Sequence, residues 1–275
     1  VGNLTQSGGH AMTSYDGQRG AGSGIFLQGN GTLGFAPAAG QTVTISDQIA
    51  DEAGTGFPVV AGNGRPSDIG GGTGGWGLTK ADEGTLVLGG TNLFTGATTV
   101  TGGTLILNGS TLSATTVQDG ATLGGAGVFH ALATIAGGGI LDPGNSPGTI
   151  TFAAGLTLND GAVLNFELGA ISDLINVTGG TLTGPAGAGG ATLHFSAGSG
   201  FEGGTYSLIN GTGATLDNFE LTDFTIGTDI GGYISVLGFS ENTLSVTFTA
   251  VPEPSTYALM LGGLVLVALA WRRGR

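Results

Sequence analysis

Two apolar series in this sequence advance by one shared step, and that step limits the fold more than any other feature. Leu86, Leu105, Leu123 and Leu141 stand 19, 18 and 18 residues apart, while Val100, Val117 and Ile135 stand 17 and 18 apart. Each member sits in a short run, such as Gly84-Thr85-Leu86-Val87-Leu88 or Thr98-Thr99-Val100, separated by glycine turns. Such runs are too short for helices, and their β-branched residues suit the pleated surface of a sheet. One coil of this length encloses no core. Stacked coils do, about 4.8 Å apart, with leucine on leucine and valine on valine inside and the intervening threonines expected outside. If about 180 to 240 residues wind this way, roughly 10 to 13 coils make a rod of about 50 to 60 Å.

Composition matters here because 59 of the 275 residues are glycine. Glycine disorders a chain unless a regular architecture reuses it at turns, which the period supplies. No cysteine is present, so disulfides, thiolate metal sites and cysteine nucleophiles are excluded. Three of the six basic residues and one of the 19 acids lie in the last 25 positions, leaving Arg19, Arg65 and Lys80 against 18 acids in residues 1–250. A body so acidic has no clustered cations for phosphates, and nucleic acid is set aside as a partner. The chain begins at Val1 without a charged segment and apolar run of the signal-peptide kind, so a removed leader or a fragment edge is expected.

Taken in order, residues 1–70 are expected to form irregular N-terminal solenoid coils, with an alternating strand at Thr42-Val43-Thr44-Ile45. Residues 71–190 carry the regular repeats. Their stretch from Gly77 to Leu107, with Gly77-Leu78-Thr79-Lys80, Leu93-Phe94-Thr95-Gly96 and Gly103-Thr104-Leu105, resembles the autotransporter-associated β-strand repeat. That resemblance implies a right-handed parallel β-helix in the passenger domain of a surface protein. The C-terminal β-barrel translocator of autotransporters has no counterpart in this sequence, which ends in a single apolar run. Leu141 to Ile150, with Pro143 and Pro147, is expected as a tight external loop. Residues 191–250 bring longer alternating runs and aromatics, expected to form a β-rich cap over the last coil's open edge.

Residues 251–275 have a different character. Pro252 and Pro254 end the preceding fold, and from Pro254 to Trp271 there is no ionisable side chain apart from the phenol of Tyr257, a length able to span a bilayer as one helix. Tyr257, Leu259, Leu261, Leu264, Leu266, Leu269 and Trp271 mark the expected span, with aromatics at both interfaces. Arg272, Arg273 and Arg275 form the expected cytoplasmic anchor, which places residues 1–250 outside the cytoplasm. The three-part tail resembles the PEP-CTERM sorting signal of Gram-negative, exopolysaccharide-producing bacteria. In that family an exosortase, a membrane-embedded cysteine transpeptidase or protease, acts near the motif. By that resemblance Pro252, Glu253 and Pro254 are the sorting motif, substrate residues for another enzyme.

Catalytic constellations are sparse. Asp51-Glu52 and Asp82-Glu83 are adjacent pairs whose members point to opposite faces of a strand, and both read as surface acids. Acid–base partners usually lie further apart in sequence, as Asp119 and Asp142 do, or Glu167 and Asp173. His10, His130 and His194 show no ligand spacing. Asp142 and Asn145 are too few for a calcium site, and neither a metal nor a cofactor is expected. The sequence therefore reads as an all-β solenoid with a β-rich cap and one C-terminal transmembrane helix. Its function reads as a non-enzymatic, exported cell-surface or matrix protein of structural or adhesive role. It would be anchored in the inner membrane and then sorted, with exopolysaccharide as its surface partner. The alternatives are a β-helical lyase or hydrolase acting on surface polysaccharide, and a fragment of a larger adhesin.

Overall fold

The computed structural model describes residues 3–12, 24–55, 73–144 and 147–252. Nearly all regular structure is strand, in one ten-stranded and two eight-stranded sheets. The chain visits the sheets in rotation: Trp76–Lys80 in sheet A, Thr85–Leu88 in sheet B, Thr91–Asn92 in sheet C, then back to A at Thr98–Val100. Successive visits pair in parallel, which is the arrangement of a β-solenoid.

The two series of the sequence are two columns of the core. Val43, Leu86, Leu105, Leu123, Leu141, Leu164, Leu193 and Ile226 stack in register down sheet B. Val100, Val117, Ile135 and Leu158 stack down sheet A. The corners between sheets use glycine where side chains have no room. Gly103 has φ +59°, and a Cβ there would meet the carbonyl oxygens of Asp82 and Gly84 at 2.4 Å.

Three expectations change. Among the described residues the rod is shorter: sheet B is eight strands deep, about 34 Å at 4.8 Å per coil. Its coils lengthen, because the register partners Leu141 and Leu164, Leu164 and Leu193, and Leu193 and Ile226 stand 23, 29 and 33 residues apart. Wider coils enclose a wider core, which aromatics fill: Phe166 lies 6.3 Å from Phe195, and Phe195 lies 5.6 Å from Phe248. Second, parallel coils continue through Phe224–Thr228, well inside the stretch assigned from sequence to the cap. Antiparallel pairing begins only with the hairpin of Tyr233–Ser240 and Thr243–Ala250, which covers Gly204–Asn210 at the end of sheet C. At the other end Asn3–Met12 pairs antiparallel with Ile25–Ala36.

Third, not all threonines face out. Thr79, Thr99, Thr116, Thr134, Thr157 and Thr183 do form one outward ladder on sheet A. Thr98, Thr111 and Thr115 are buried, and Thr98 and Thr115 occupy the column between Leu78 and Ala133. Their hydroxyls are satisfied locally. The Oγ1 of Thr98 lies 2.8 Å from Ser113 Oγ, which donates to Gly96 O at 2.6 Å, and Thr115 Oγ1 donates to Ser113 O. The 141–150 loop is also displaced: Asp142 and Pro143 belong to the strand Ile140–Pro143, and Pro143 is buried.

Candidate functional site

Of the sorting residues, Pro252 alone is described. The last strand ends at Ala250, Val251 N–H donates to Gly232 O at 2.9 Å, and Val251 and Pro252 are exposed. Glu253, Pro254, Tyr257, Leu259, Leu261, Leu264, Leu266, Leu269, Trp271, Arg272, Arg273 and Arg275 lie outside the described residues, as does the expected span. Among the described residues no helix is long and apolar enough to cross a membrane.

A cleft of about 470 Å³ opens on the outer side of sheet B. Strand alternation builds it. Leu141, Leu164 and Leu193 point inward, so the next residues, Asp142, Asn165 and His194, point outward on successive coils, followed by Thr228 opposite His194. Glu167, two further along its strand, shares that face. Asp173 enters from the corner, only 3% exposed, its Oδ1 accepting from Gly148 N at 2.8 Å and its Oδ2 from Glu167 N at 2.7 Å. His194 Nδ1 lies 2.7 Å from Thr228 Oγ1.

Burial pushes the carboxyl of Asp142 above its usual range, and the negative charge of Glu167 adds to this. Burial also raises Asp173, against the backbone donors of Glu167 and Gly148, with Asp142 and Glu167 adding like charge. The cleft thus gathers three carboxyl groups, one imidazole and no lysine or arginine. Of the two pairs considered from the sequence, Glu167 and Asp173 come together here, joined by Asp142 without its partner Asp119. Among the described residues no group of three or more His, Cys, Asp or Glu is arranged to hold a metal ion.

A raised folded-state pKa gives stability that is present below the unfolded carboxylate value and is lost as pH climbs through the folded one. Asp142→Asn is therefore expected to raise the melting temperature at pH 7, with the gain shrinking towards zero near pH 4. Paired thermal melts across that range check it, and a loss of stability at pH 7 would contradict the cause assigned.

Sequence reasoning missed a second set. Asp51 and Glu52 are buried rather than on the surface, because the strand Ile49–Asp51 bends straight into the short helix Glu52–Thr55. Asp51 is fully buried, its Oδ1 accepting from Gly54 N at 2.7 Å and its Oδ2 from Trp76 N at 2.9 Å, Thr95 N at 2.7 Å and Thr95 Oγ1 at 3.0 Å. Glu52 Oε2 accepts from Gly29 N. Lys80 is fully buried too, standing in the column between Phe35 and Val100, and its Nζ donates to Ala81 O, Asp82 O and Gly102 O at 2.8, 2.9 and 2.8 Å. Burial lowers its pKa, offset in part by Asp82. These charges pin turns between coils.

Two family models match the chain. The passenger-associated-transport-repeat covers residues 78–107, and the PEP-CTERM protein-sorting motif covers residues 250–275. They fall on the two stretches that carry resemblances in the sequence. No curated protein matches the chain. A passenger-type repeat followed by a sorting motif is the pairing of an exported protein, and the motif implies processing by an exosortase.

Proposed function

We propose that the protein is a non-enzymatic element of the cell surface or extracellular matrix: a right-handed β-helical rod carried out of the cytoplasm, held by residues 257–271 in the inner membrane and then cut near Pro252-Glu253-Pro254. In this reading Arg272, Arg273 and Arg275 stay on the cytoplasmic side, and exopolysaccharide is the surface partner. What carries the reading is a junction. The last strand ends at Ala250 and the sorting motif begins at residue 250, so the whole described fold lies on one side of it. The threonine ladder of sheet A offers a stiff row of hydroxyls for repeated weak contacts, which act together through multivalency.

The cleft of Asp142, Glu167, Asp173 and His194 favours a second reading, a glycan-active enzyme. Incubating the protein with the host's purified surface polysaccharide separates the two. The expected result is co-sedimentation without any shortening of the polysaccharide. New chain ends that appear with the wild type and vanish with Asp142→Asn would overturn the non-enzymatic reading.

A further inference from the structure

The C-terminal hairpin carries an exposed, uncharged face with aliphatic side chains. On Tyr233–Ser240 the side chains of Ile234 and Val236 are 58% and 61% exposed, and Val251, just past the partner strand, is 46% exposed. Register puts them together: Ile234 stands opposite Thr249 and Val236 opposite Thr247, while strand alternation turns Val251 to the same side as both threonines. Thr247 pairs with Thr205 of the next strand, their hydroxyls 2.8 Å apart, and Ser245 pairs with Ser207. No ionisable side chain stands on this face of the three strands. Neighbouring acids lie off it, Glu202 among them, ahead of the strand Gly204–Asn210. Asp229 bonds Ser235, which points to the opposite side, and Glu241 sits in the turn at the far end.

The chain leaves the fold at that same edge. Val251 is tied to Gly232, immediately before Tyr233, and the sequence then runs through Pro252 to Tyr257, the aromatic that precedes the apolar stretch. The six residue steps from Val251 to Tyr257 reach at most about 22 Å. If Tyr257 sits at the lipid headgroups, as interfacial aromatics do, Val251 is held within that distance of the bilayer, with Ile234 and Val236 on the same face beside it. An anionic surface repels the acidic remainder of the body, whereas an uncharged face with aliphatic tips and hydroxyls suits the interface.

We infer that the outer face of the 233–251 hairpin rests on the membrane surface and sets the orientation of the solenoid while the sorting motif is presented for cutting. This rests on the membrane-anchored reading of the tail.

The chain has no cysteine, so single labels are unique. Full-length protein is reconstituted in phosphatidylethanolamine–phosphatidylglycerol vesicles with an environment-sensitive fluorophore at Val236→Cys, Thr116→Cys on the outer face of sheet A, or Leu264→Cys in the tail. Quenchers are placed on the lipid headgroups or deep in the acyl chains. The expected result is loss of most emission at position 236 with headgroup quenchers, none at 116, and loss at 264 with deep quenchers. A label at Thr247→Cys should also be quenched, and adding Ile234→Glu and Val236→Glu should abolish that.

If 264 is quenched while 236 stays as bright as 116, the resting face is refuted and the anchor stands. If 264 is not quenched either, the anchor reading fails and takes the inference with it. Shielding at 236 that follows protein concentration and not lipid would replace the membrane with a second copy of the chain.

Discussion

Replacing Asp51 by alanine is expected to destabilise the fold by about 3 kcal/mol, because it leaves the buried Trp76 amide without its acceptor and cuts the ties to Gly54 and Thr95 at the same time. Its two oxygens accept from Gly54, Trp76 and Thr95, residues that close the first described coil onto the second. Water does not take over at the Trp76 amide, since Asp51 and Trp76 are fully buried, whereas Gly54 and Thr95 lie nearer solvent. Denaturant titration followed by tryptophan fluorescence reads the loss, as Trp76 lies at the damaged junction. Glu83→Ala, at an exposed acid of the other adjacent pair, is the control and is expected to stay within about 0.5 kcal/mol of the wild type. Equal effects at the two sites would mean that Asp51 ties nothing together.

Lys80→Met is the second large effect, expected at about 3 kcal/mol. Methionine refills the column between Phe35 and Val100 but cannot donate to the carbonyls of Ala81, Asp82 and Gly102, so three charge-assisted hydrogen bonds are lost without a cavity. The experiment decides between two views of a buried charge. If the ammonium were a desolvation burden tolerated by the core, methionine would leave stability unchanged or raise it, as apolar replacement of a buried ion often does. If it clamps the turn to the next coil, the midpoint falls. The completeness of its hydrogen bonding favours the clamp.

What was legible in the sequence was whatever repeats with the coil. Leu86 to Leu141 and Val100 to Ile135 announce their columns because a parallel register converts a spatial stack into a constant sequence step. The step stops being constant after Leu141, where each coil takes in extra residues, so an 18-residue period overcounts the coils of the described residues. Buried charges were illegible for another reason. Lys80, Asp51 and Glu52 read as solvated by residue type, and only the backbone groups converging on them, from as far as Gly102 or Thr95, show why burial is tolerated. The cleft left a faint signal. Asp142, Asn165 and His194 each follow a leucine of one column, so extending that column past Leu141 despite the changing step would have placed them side by side.

The tail lies beyond such reasoning from register, and the account depends on it. Expressing the full chain in a host with and without its exosortase, and mapping the C-terminus of the exported protein by mass spectrometry, tests that dependence. The account predicts a terminus near Pro252–Pro254 when the enzyme is present and Arg275 when it is absent. A C-terminus at Arg275 in both hosts would contradict it.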